Sequence, residues 1–592
     1  MISSKRVILD LIIHRCNNLR SFKQVHAQII TSGAILDDLV VSRVSQFLGK
    51  SVEFVDYALE FLNQIDPCSR SYPFNTLISG YATSNSPKVA FLVYKRIIGD
   101  GFLPNLFTFP VVLKSCAKFS GIEEGKQIHG VVVKMGFSSD LYVQNSLLHF
   151  YSTCGECRVA GEVFDDMLVR DVVTWTGLIS GCVRAGRLEE AVTLFLKMDV
   201  EPSITTFVSV LVACGRLGYL VMGKCIHGLI FKHGFGANLV VSNALLDMYV
   251  KWECLCDAKQ LFHELPERDI ISWTCLISGL VQCKCPKESL QLFSDMQISG
   301  IQPDKVILTS VLSACSSLGA LDCGRWVHEY IDRRGIKWDI HIGTAMVDMY
   351  AKCGCIEMAL QTFYEMSGRN ISVWNALLGG LAMHGHGQEA LKHFEEMIRV
   401  GVRLNEVTFL AILTACCHSG LVDQGRRHFY QMSQDYNLSP RLEHYGCMVD
   451  LLCRAGLLEE AQDIIRGMPM PPDVLIWGAL LSSLNVNGNV ELAQDILDRL
   501  YELGSQDSGV YVLLSNIHAT NERWDEVKRL RRSMKEKGMR KVPGSSVIEV
   551  DGRAHEFLVG DTNHPRSEDI HTLLYVLATQ VQLEGHFSHQ FL

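Results

Sequence analysis

The sequence predicts an all-α superhelical solenoid of helix-turn-helix repeats, followed by a short α/β extension at the C-terminus. The first observation is a phrase, "RDIISWTCLISG" at 268–279, whose variants place a tryptophan at intervals of 98, 101 and 103 residues: Trp175, Trp273, Trp374 and Trp477. The second is an unrelated phrase with a histidine at intervals of 103, 98 and 101 residues: His26, His129, His227 and His328. Two unrelated phrases with one period indicate duplication of a unit of roughly 100 residues.

The third observation is a shorter period of 31 to 36 residues inside each unit. In "TGLISGCVRAGRLEEAVTLFLKM", Gly186 lies at a break between two apolar helices, and Glu189 and Glu190 begin the second one, where the helix dipole favours acids. One such hairpin leaves its apolar faces uncovered, so neighbours must stack in an array, whose handedness the sequence leaves open. We place this array at 38–473, with clear segments at 71–105, 106–140, 141–171, 172–203, 204–238, 239–269, 270–304, 305–339, 340–370, 371–405, 406–441 and 442–473.

The composition is that of a folded protein larger than one ordinary domain. Of its 592 residues, 48% are hydrophobic and 20% are charged. A net charge of −9 excludes a uniformly basic nucleic-acid binder, although a local basic stripe remains compatible with it. Many of the 21 cysteines lie in apolar helical phrases such as "LTACCHSG", which predicts buried thiols in a reducing compartment. No apolar run approaches the ~20 residues of a membrane span, so we expect no membrane insertion.

The first residues are typical of an organellar presequence. "MISSKRVILDLIIHRCNNLRSFK" contains five Lys or Arg against one Asp, with serines and an apolar stripe. An ordinary first helix has a similar composition, so 1–37 is interpreted as a possible presequence that merges into a degenerate first repeat. The predicted location is a mitochondrion or chloroplast, with the mitochondrion favoured.

The wording of the repeats identifies a family. A tetratricopeptide repeat carries W-x-x-L-G-x-x-Y, which is missing from these segments, whereas "FNTLISGY", "AGRLEEAVTLFLKM" and "SGIQPD" resemble the pentatricopeptide repeat family. The 35, 35, 31 pattern of lengths resembles its plant subclass of alternating P, L and S motifs. This resemblance implies single-stranded RNA as partner, with one nucleotide per repeat read by the fifth and last residues. In the P and S segments these pairs are Asn75/Asn105, Asn145/Asp171, Thr176/Ser203, Asn243/Asp269, Thr274/Asp304, Thr344/Asn370 and Asn375/Asn405.

All of these side chains are short hydrogen-bonding groups suited to base edges. Helix capping alone would explain the last positions, but not the fifth ones, which lie a turn inside an apolar helix. The L segments have Pro110, Val208 and Leu410 at the fifth position and are expected to be silent, except Thr309 with Asp339. The repeat 442–473 has Gly446 at its fifth position, so we expect it to select its base poorly. The family's code then implies a target of roughly Y-n-U-R-n-U-G-n-A-Y-n-n.

A recurring cation predicts phosphate contacts. The thirteenth position of five segments is basic and lies beside the turn between the helices: Lys118, Arg184, Lys251, Lys352 and Arg454. A phosphate-binding stripe is the favoured interpretation. Charge favoured by the end of a helix is the alternative.

The C-terminal region resembles the extension of organellar editing factors. Two hairpins at 474–541 resemble E motifs, and 542–592 resembles the PG box and E-plus tail, with a β-hairpin turning at Asp551-Gly552. The family's DYW cytidine deaminase would need His-x-Glu and a later Pro-Cys-x-x-Cys to hold zinc. His393-Phe394-Glu395 lies in a repeat helix with no such cysteines after it, and Cys154-Gly-Glu-Cys157 is a turn. We therefore expect no cofactor, no metal and no catalysis by this chain.

The leading hypothesis is a factor that selects a cytidine for C-to-U editing of an organellar transcript. It would recruit a DYW-type cytidine deaminase and other editing factors in trans. A transcript stabilisation, splicing or translation factor is the second hypothesis, and the E-like tail counts against it. A protein-interaction scaffold is the third; it would show no steep dependence of RNA binding on salt.

Overall fold

The computed structural model describes residues 19–33, 37–63, 71–84, 86–101, 103–487, 508–520, 522–536, 545–550, 553–558 and 564–583, with the single residues 496, 499 and 538. These residues form two compact units, Met1–Leu276 and Ile277–Leu592. Each unit is a stack of helical hairpins, which confirms the predicted all-α solenoid.

Each hairpin has a first helix, named here the A helix, and a second, named the B helix. The A helices are Asp38–Leu48, Ser71–Thr83, Thr108–Lys118, Leu141–Thr153, Val172–Arg184, Ile204–Leu217, Leu239–Lys251, Ile270–Gln282, Lys305–Leu318, Ile340–Lys352, Ile371–Met383, Glu406–His418 and Leu442–Arg454. The B helices are Val55–Asn63, Lys88–Gly99, Ile122–Lys134, Cys157–Asp165, Leu188–Lys197, Leu220–Lys232, Leu255–Glu264, Pro286–Ile298, Leu321–Arg333, Ile356–Glu365, Gly387–Arg399, Val422–Gln434 and Leu458–Arg466. Consecutive A helices pack on each other from Asp38–Leu48 to Leu239–Lys251 in the first unit and from Lys305–Leu318 to Leu442–Arg454 in the second.

The segment starts predicted from the sequence coincide with the first residues of the A helices. The one difference is the segment 106–140, whose A helix begins at Thr108. The predicted break at Gly186 is also confirmed, because this residue lies between Arg184 and Leu188 with φ of +78°, a left-handed conformation that favours glycine.

The repeated phrase of the sequence is a packing device. Trp175 is 5% exposed, and its ring meets Phe164 edge to face at 4.8 Å. Arg170 stacks on the same Phe164 ring at 4.5 Å, and its Nε donates to the Phe164 carbonyl at 3.0 Å, at the end of the preceding B helix. The same arrangement recurs with Phe262, Arg268 and Trp273 and with Phe363, Arg369 and Trp374. The phrase is therefore conserved within the chain because it joins one hairpin to the next.

The histidine landmarks have a comparable structural role. Each histidine lies on a helix, and its Nδ1 lies within hydrogen-bonding distance of the hydroxyl of a tyrosine on a later helix of the chain. The pairs are His26 with Tyr57 at 2.5 Å, His129 with Tyr151 at 2.9 Å, His227 with Tyr249 at 2.8 Å and His328 with Tyr350 at 2.8 Å. Burial lowers the pKa of His26, His129 and His227, so these imidazoles are held neutral as packing groups.

Part of the region assigned to a possible presequence is folded into the array. The helix Leu19–Thr31 buries Phe22, which is 0% exposed and stacks on Phe47 at 4.8 Å. This packing is compatible with the predicted degenerate first repeat, whose bounds stay a prediction. The basic residues before Leu19 lie outside the described residues.

The expectation of buried thiols holds for eight of the 19 cysteines in the described part of the chain, while nine are half-buried and two are exposed. Every cysteine in the described part of the chain is a free thiol. Burial raises the pKa of Cys116 and Cys182 to about 12, which keeps these thiols protonated, while Cys225 and Cys256 are exposed. Among the described residues, no helix has both the length and the apolar character needed to cross a bilayer.

The C-terminal region begins as a continuation of the array. The helices Val474–Asn487, Ser508–Thr520 and Trp524–Glu536 contribute Leu480, Tyr511 and Leu530 to a core that also contains Leu452 of the last repeat. The antiparallel strands Ser545–Val550 and Arg553–Leu558 then form the predicted hairpin, and a final helix spans Ser567–Leu583. The pairing of Val550 with Arg553 leaves two residues for the turn, Asp551-Gly552, which lie outside the described residues.

Candidate RNA-binding surface

The fifth and last residues of five repeats meet in space, although 26 to 30 residues separate them in sequence. The amide Nδ2 of the fifth residue donates to Oδ1 of the last residue in four pairs: Asn75 to Asn105 at 3.1 Å, Asn145 to Asp171 at 3.2 Å, Asn243 to Asp269 at 3.1 Å and Asn375 to Asn405 at 3.2 Å. In the fifth pair, the hydroxyls of Thr176 and Ser203 lie 3.4 Å apart. Each pair lies near the N-terminal end of an A helix, four of them in the first unit and Asn375/Asn405 in the second. We call the fifth and last positions of successive repeats, taken together, the row.

The last residue has a second role, because it is the N-cap of the next A helix. Asp171 accepts the backbone N–H of Thr174 at 2.8 Å, and Asn405 accepts that of Thr408 at 3.1 Å. Asp304 caps the helix that follows it through Ile307. The last residues therefore do cap the helices that follow them, and in the paired repeats they also contact the fifth residue.

Two aspartates of this row, Asp171 and Asp269, stay ionised. Burial acts to raise the pKa of Asp171, but hydrogen bonds from Thr174 and Asn145 outweigh it and hold the pKa below its ordinary value. The pKa of Asp269 is lowered against burial in the same way, by Ser272 and Asn243. An ionised carboxylate only accepts hydrogen bonds, which defines what these positions can offer a base.

Two threonines of the row bond within their own helix. Thr274 Oγ1 donates to the carbonyl of Ile270 at 2.7 Å, and Thr344 Oγ1 donates to that of Ile340 at 2.5 Å. Asn370, the partner predicted for Thr344, accepts the N–H groups of Ser372 and Val373. With its proton engaged, the Thr344 hydroxyl keeps lone pairs for an acceptor role toward a ligand.

The L repeats place apolar side chains at the same point. Pro110 is buried, while Val208 and Leu410 are half-buried. The predicted exception, Thr309 with Asp339, differs from the other pairs because Lys305 Nζ lies 3.1 Å from Asp339 Oδ2. This ion pair neutralises a carboxylate that a base would otherwise meet.

The five predicted phosphate contacts occupy one kind of site, the last residue of an A helix. Three of them pair with an acid one turn earlier: Lys251 with Asp247 at 2.5 Å, Lys352 with Asp348 at 3.0 Å and Arg454 with Asp450 at 3.0 Å. Lys118 donates to the Ala82 carbonyl at 2.7 Å, and Arg184 is exposed. Exposed pairs of this kind contribute only about 0.3–0.5 kcal/mol, so a phosphate could displace them. The phosphate stripe stays a prediction.

The structure adds a set of residues that the sequence reasoning missed. The second residue of many repeats is apolar yet 52–65% exposed: Tyr72, Phe107, Tyr142, Val173, Val240, Ile271, Val306 and Val407. Tyr72 and Phe107 line a groove of about 730 Å³ with Asn75 and Asn105. In the second unit, Val306 and Val407 line a groove of about 1020 Å³ with Thr344, Asn370, Asn375 and Asn405. The signal in the sequence was an apolar residue directly after a polar cap, outside the buried stripe of the helix.

Fold and site together define a class of protein: a helical-repeat solenoid in which five repeats present a polar pair beside an exposed apolar side chain. Comparisons with known proteins specify the family. The profile of the PPR repeat family matches 268–317 and 369–418, that of the PPR repeat matches 72–102, 173–201, 344–371, 407–436 and 443–470, and that of the E motif matches 487–549. The chain belongs to the pentatricopeptide repeat family.

Several relatives from Arabidopsis thaliana cover nearly the whole chain. Pentatricopeptide repeat-containing protein At4g38010 is 58% identical over 92% of this chain and 98% of its own length. A chloroplastic relative, At1g08070, is 40% identical over 97% of this chain and 82% of its own length. A mitochondrial relative, At2g22410, is 38% identical over 96% of this chain and 89% of its own length.

A solved structure shares the fold. The pentatricopeptide repeat protein PPR10 from maize has a TM-score of 0.52 at 16% identity, covering 90% of this chain and 93% of that chain. PPR10 has also been crystallised in complex with an 18-nt psaJ RNA element, and that structure has a TM-score of 0.40.

Proposed function

We propose that this protein is a sequence-specific single-stranded RNA-binding factor. The observation that carries the proposal is the row of paired fifth and last residues, held 3.1–3.4 Å apart beside exposed apolar second residues. Single-stranded RNA offers both groups a partner, because its bases present hydrogen-bonding edges and stack on apolar or aromatic side chains.

The cap geometry suggests which base each pair prefers. In a repeat such as 141–171, Asp171 Oδ1 is engaged by the helix N-terminus and by Asn145, which leaves Oδ2 as an acceptor. Asn145 has a second Nδ2 hydrogen to donate. A donor beside an acceptor fits U, whose Watson–Crick edge has a carbonyl oxygen next to N3–H. We assign U to the repeats with Asp171 and Asp269.

The Asn/Asn repeats present a different pair of groups. Asn105 Oδ1 accepts the N–H groups of Phe107 and Thr108, so its own Nδ2 hydrogens face outward. Two donors fit the adjacent O2 and N3 acceptors of C. We therefore assign C, where the sequence predicted either pyrimidine, to the repeats with Asn75/Asn105 and Asn375/Asn405. A threonine at the fifth position is shorter than asparagine and leaves room for a purine, as the family's code implies.

The binding experiment uses the full chain and a pool of synthetic single-stranded RNA, 12 nucleotides long and fully randomised. We expect the bound fraction to be enriched in U at two positions and in C at two others, with the spacing of the repeats. Affinity should also fall steeply with salt. Binding without base enrichment, or no binding, contradicts the proposal and favours the scaffold.

We further propose that the protein selects a cytidine for C-to-U editing and recruits a DYW-type deaminase in trans, without catalysing the reaction. The E-motif match at 487–549 supports this step, since blocking a nuclease requires no such extension. The organellar names of relatives support a mitochondrial or chloroplast location. Organellar RNA from a loss-of-function line should lose conversion at one or a few cytidines. Loss of a whole transcript with editing intact would favour the stabilisation hypothesis, and deamination by the purified chain alone would contradict recruitment.

A further inference from the structure

Each asparagine of the row is held by a hydroxyl from the next repeat. The hydroxyl is at the third position of that repeat, is 0% exposed, and donates to the asparagine Oδ1: Thr108 to Asn75 at 2.8 Å, Thr174 to Asn145 at 2.7 Å, Ser272 to Asn243 at 2.7 Å and Thr408 to Asn375 at 2.8 Å. A buried hydroxyl aimed at a partly exposed amide fixes the orientation of that amide.

The third residue varies with the fifth residue before it. Where the fifth residue is not asparagine, the third residue of the next repeat is apolar in five repeats: Val143 after Pro110, Val241 after Val208, Ile307 after Thr274, Ile342 after Thr309 and Val373 after Thr344. Val143 and Val241 are 0% exposed, so an aliphatic side chain packs equally well at this point. The fold therefore does not require the hydroxyl. Thr206 after Thr176 and His444 after Leu410 are the remaining cases.

We propose that the third-position hydroxyls of Thr108, Thr174, Ser272 and Thr408 are positioning residues that set base selectivity through the asparagine. With the hydroxyl on Oδ1 and the last residue on one Nδ2 hydrogen, the group left for the base is the other Nδ2 hydrogen. Without the hydroxyl, Oδ1 loses its donor and the amide is held only by its bond to the last residue, so the Nδ2 hydrogen is aimed less firmly at the base. This inference rests on the proposed RNA-binding function.

Capping is the alternative role of these hydroxyls, since Thr174 Oγ1 also accepts the backbone N–H of Asp171 at 3.2 Å. The chain offers a matched control. Thr206 Oγ1 accepts the N–H of Ser203 at 3.1 Å in the same way, but it faces the hydroxyl of Thr176 at 2.6 Å and has no amide to orient. Both Thr174→Val and Thr206→Val thus remove a hydroxyl that accepts the N–H of the capping residue before it. Only Thr174→Val also removes a hydrogen-bond donor to an asparagine, Asn145.

The test measures base enrichment of the full chain with the same randomised 12-nucleotide pool. Thr174→Val should lower the preference for U over C about fivefold at the nucleotide of repeat 141–171 alone, the equivalent of one hydrogen bond. Thr408→Val should lower the preference for C over U by a similar factor at the nucleotide of repeat 371–405, where the Asn375/Asn405 pair is assigned to C. Thr174→Ser should keep the wild-type preference, as Ser272 is native at the equivalent point. Thr206→Val should leave the nucleotide of 141–171 unchanged.

Three results separate the possible failures. Wild-type protein without enrichment contradicts the proposed function itself. Enrichment in wild type that Thr174→Val leaves intact overturns the positioning role. An equal loss at every nucleotide, matched by Thr206→Val and by a similar fall in melting temperature, also overturns it and leaves capping as the only role.

Discussion

The repeats 141–171 and 204–238 share one backbone but differ in what they can offer RNA. Both end in a polar N-cap, because Asp171 accepts the N–H of Thr174 and Asn238 accepts those of Val240 and Val241. Only the first repeat has a polar fifth residue, Asn145, where the second has Val208. In both repeats the polar last residue caps the next A helix, whereas a polar fifth residue is not required by the fold. We therefore propose that base reading is carried by the fifth residue, and that the cap contributes to it only beside a polar fifth residue.

The largest expected effect comes from exchanging the cap chemistry in the reading repeat. Asp171→Asn keeps the cap but replaces an acceptor by a donor, so the preferred base should change from U to C. The ratio of affinities for two synthetic RNAs that differ at this nucleotide should shift about a hundredfold, since one contact of ~1–3 kcal/mol is lost and one is gained. The control is Asn238→Asp in the L repeat, where we expect less than a twofold change. Similar shifts in both repeats would show that the fifth residue is irrelevant.

The next largest effect is expected from replacing the polar fifth residue of a repeat that is proposed to read a base. Asn243→Val introduces the side chain that repeat 204–238 has at Val208, and Asp269 keeps its cap to Ser272. The preference for U at this nucleotide should fall about tenfold, the loss of one base contact. The melting temperature should change little, and Val208→Ala should alter no preference. If Asn243→Val lowers affinity for all sequences alike, Asn243 supports the fold and does not read.

The reverse exchange should make a silent repeat read. Val208→Asn with Val241→Thr rebuilds the asparagine and its hydroxyl beside Asn238. Because Asn238 uses Oδ1 as a cap, the new pair offers two donors and should favour C about fivefold. Enrichment from the randomised pool measures the gain. Val208→Asn alone should gain less, and no gain in the double variant would mean that L repeats hold RNA too far away.

A smaller effect concerns affinity without selectivity. Lys352→Gln removes one predicted phosphate contact, so the slope of log affinity against log salt should decrease by about 0.7. Affinity should fall equally for all sequences. The control is Arg333→Gln, which removes an exposed cation of a B helix paired with Glu329. An unchanged slope for Lys352→Gln would favour the helix-end alternative for these cations.

The smallest effect is that of pH. Asp171 and Asp269 have pKa values below the ordinary 3.8, so both are ionised throughout the range from pH 8 to pH 5. The preference for U at their nucleotides should not change in this range. Because the folded pKa is depressed, their contribution to stability is present above the ordinary pKa and is lost only as pH falls through the folded value. A preference for U that weakens between pH 6 and pH 5 would contradict the carboxylate as acceptor.

Much of the fold was available from the sequence because its signals are local. The two periods, the apolar stripes and the polar caps predicted the A helices to within two residues, since a helix begins where an N-cap satisfies its first N–H groups. The β-hairpin followed from alternation around Asp551-Gly552. The boundaries at 37, 473 and 541 remain predictions, although the helix Leu19–Thr31 shows that packed repeats already begin before residue 38.

The sequence by itself determined which residues stand at the fifth and last positions, because a fixed repeat length places them in a fixed helical frame. Only the tertiary structure decided that Asn145 meets Asp171, that Thr174 orients its amide, and that Tyr72 or Val240 is exposed beside such pairs. These facts depend on how one hairpin packs on the next. A hydrogen bond between groups 26 residues apart is a property of that packing, and no local pattern specifies it.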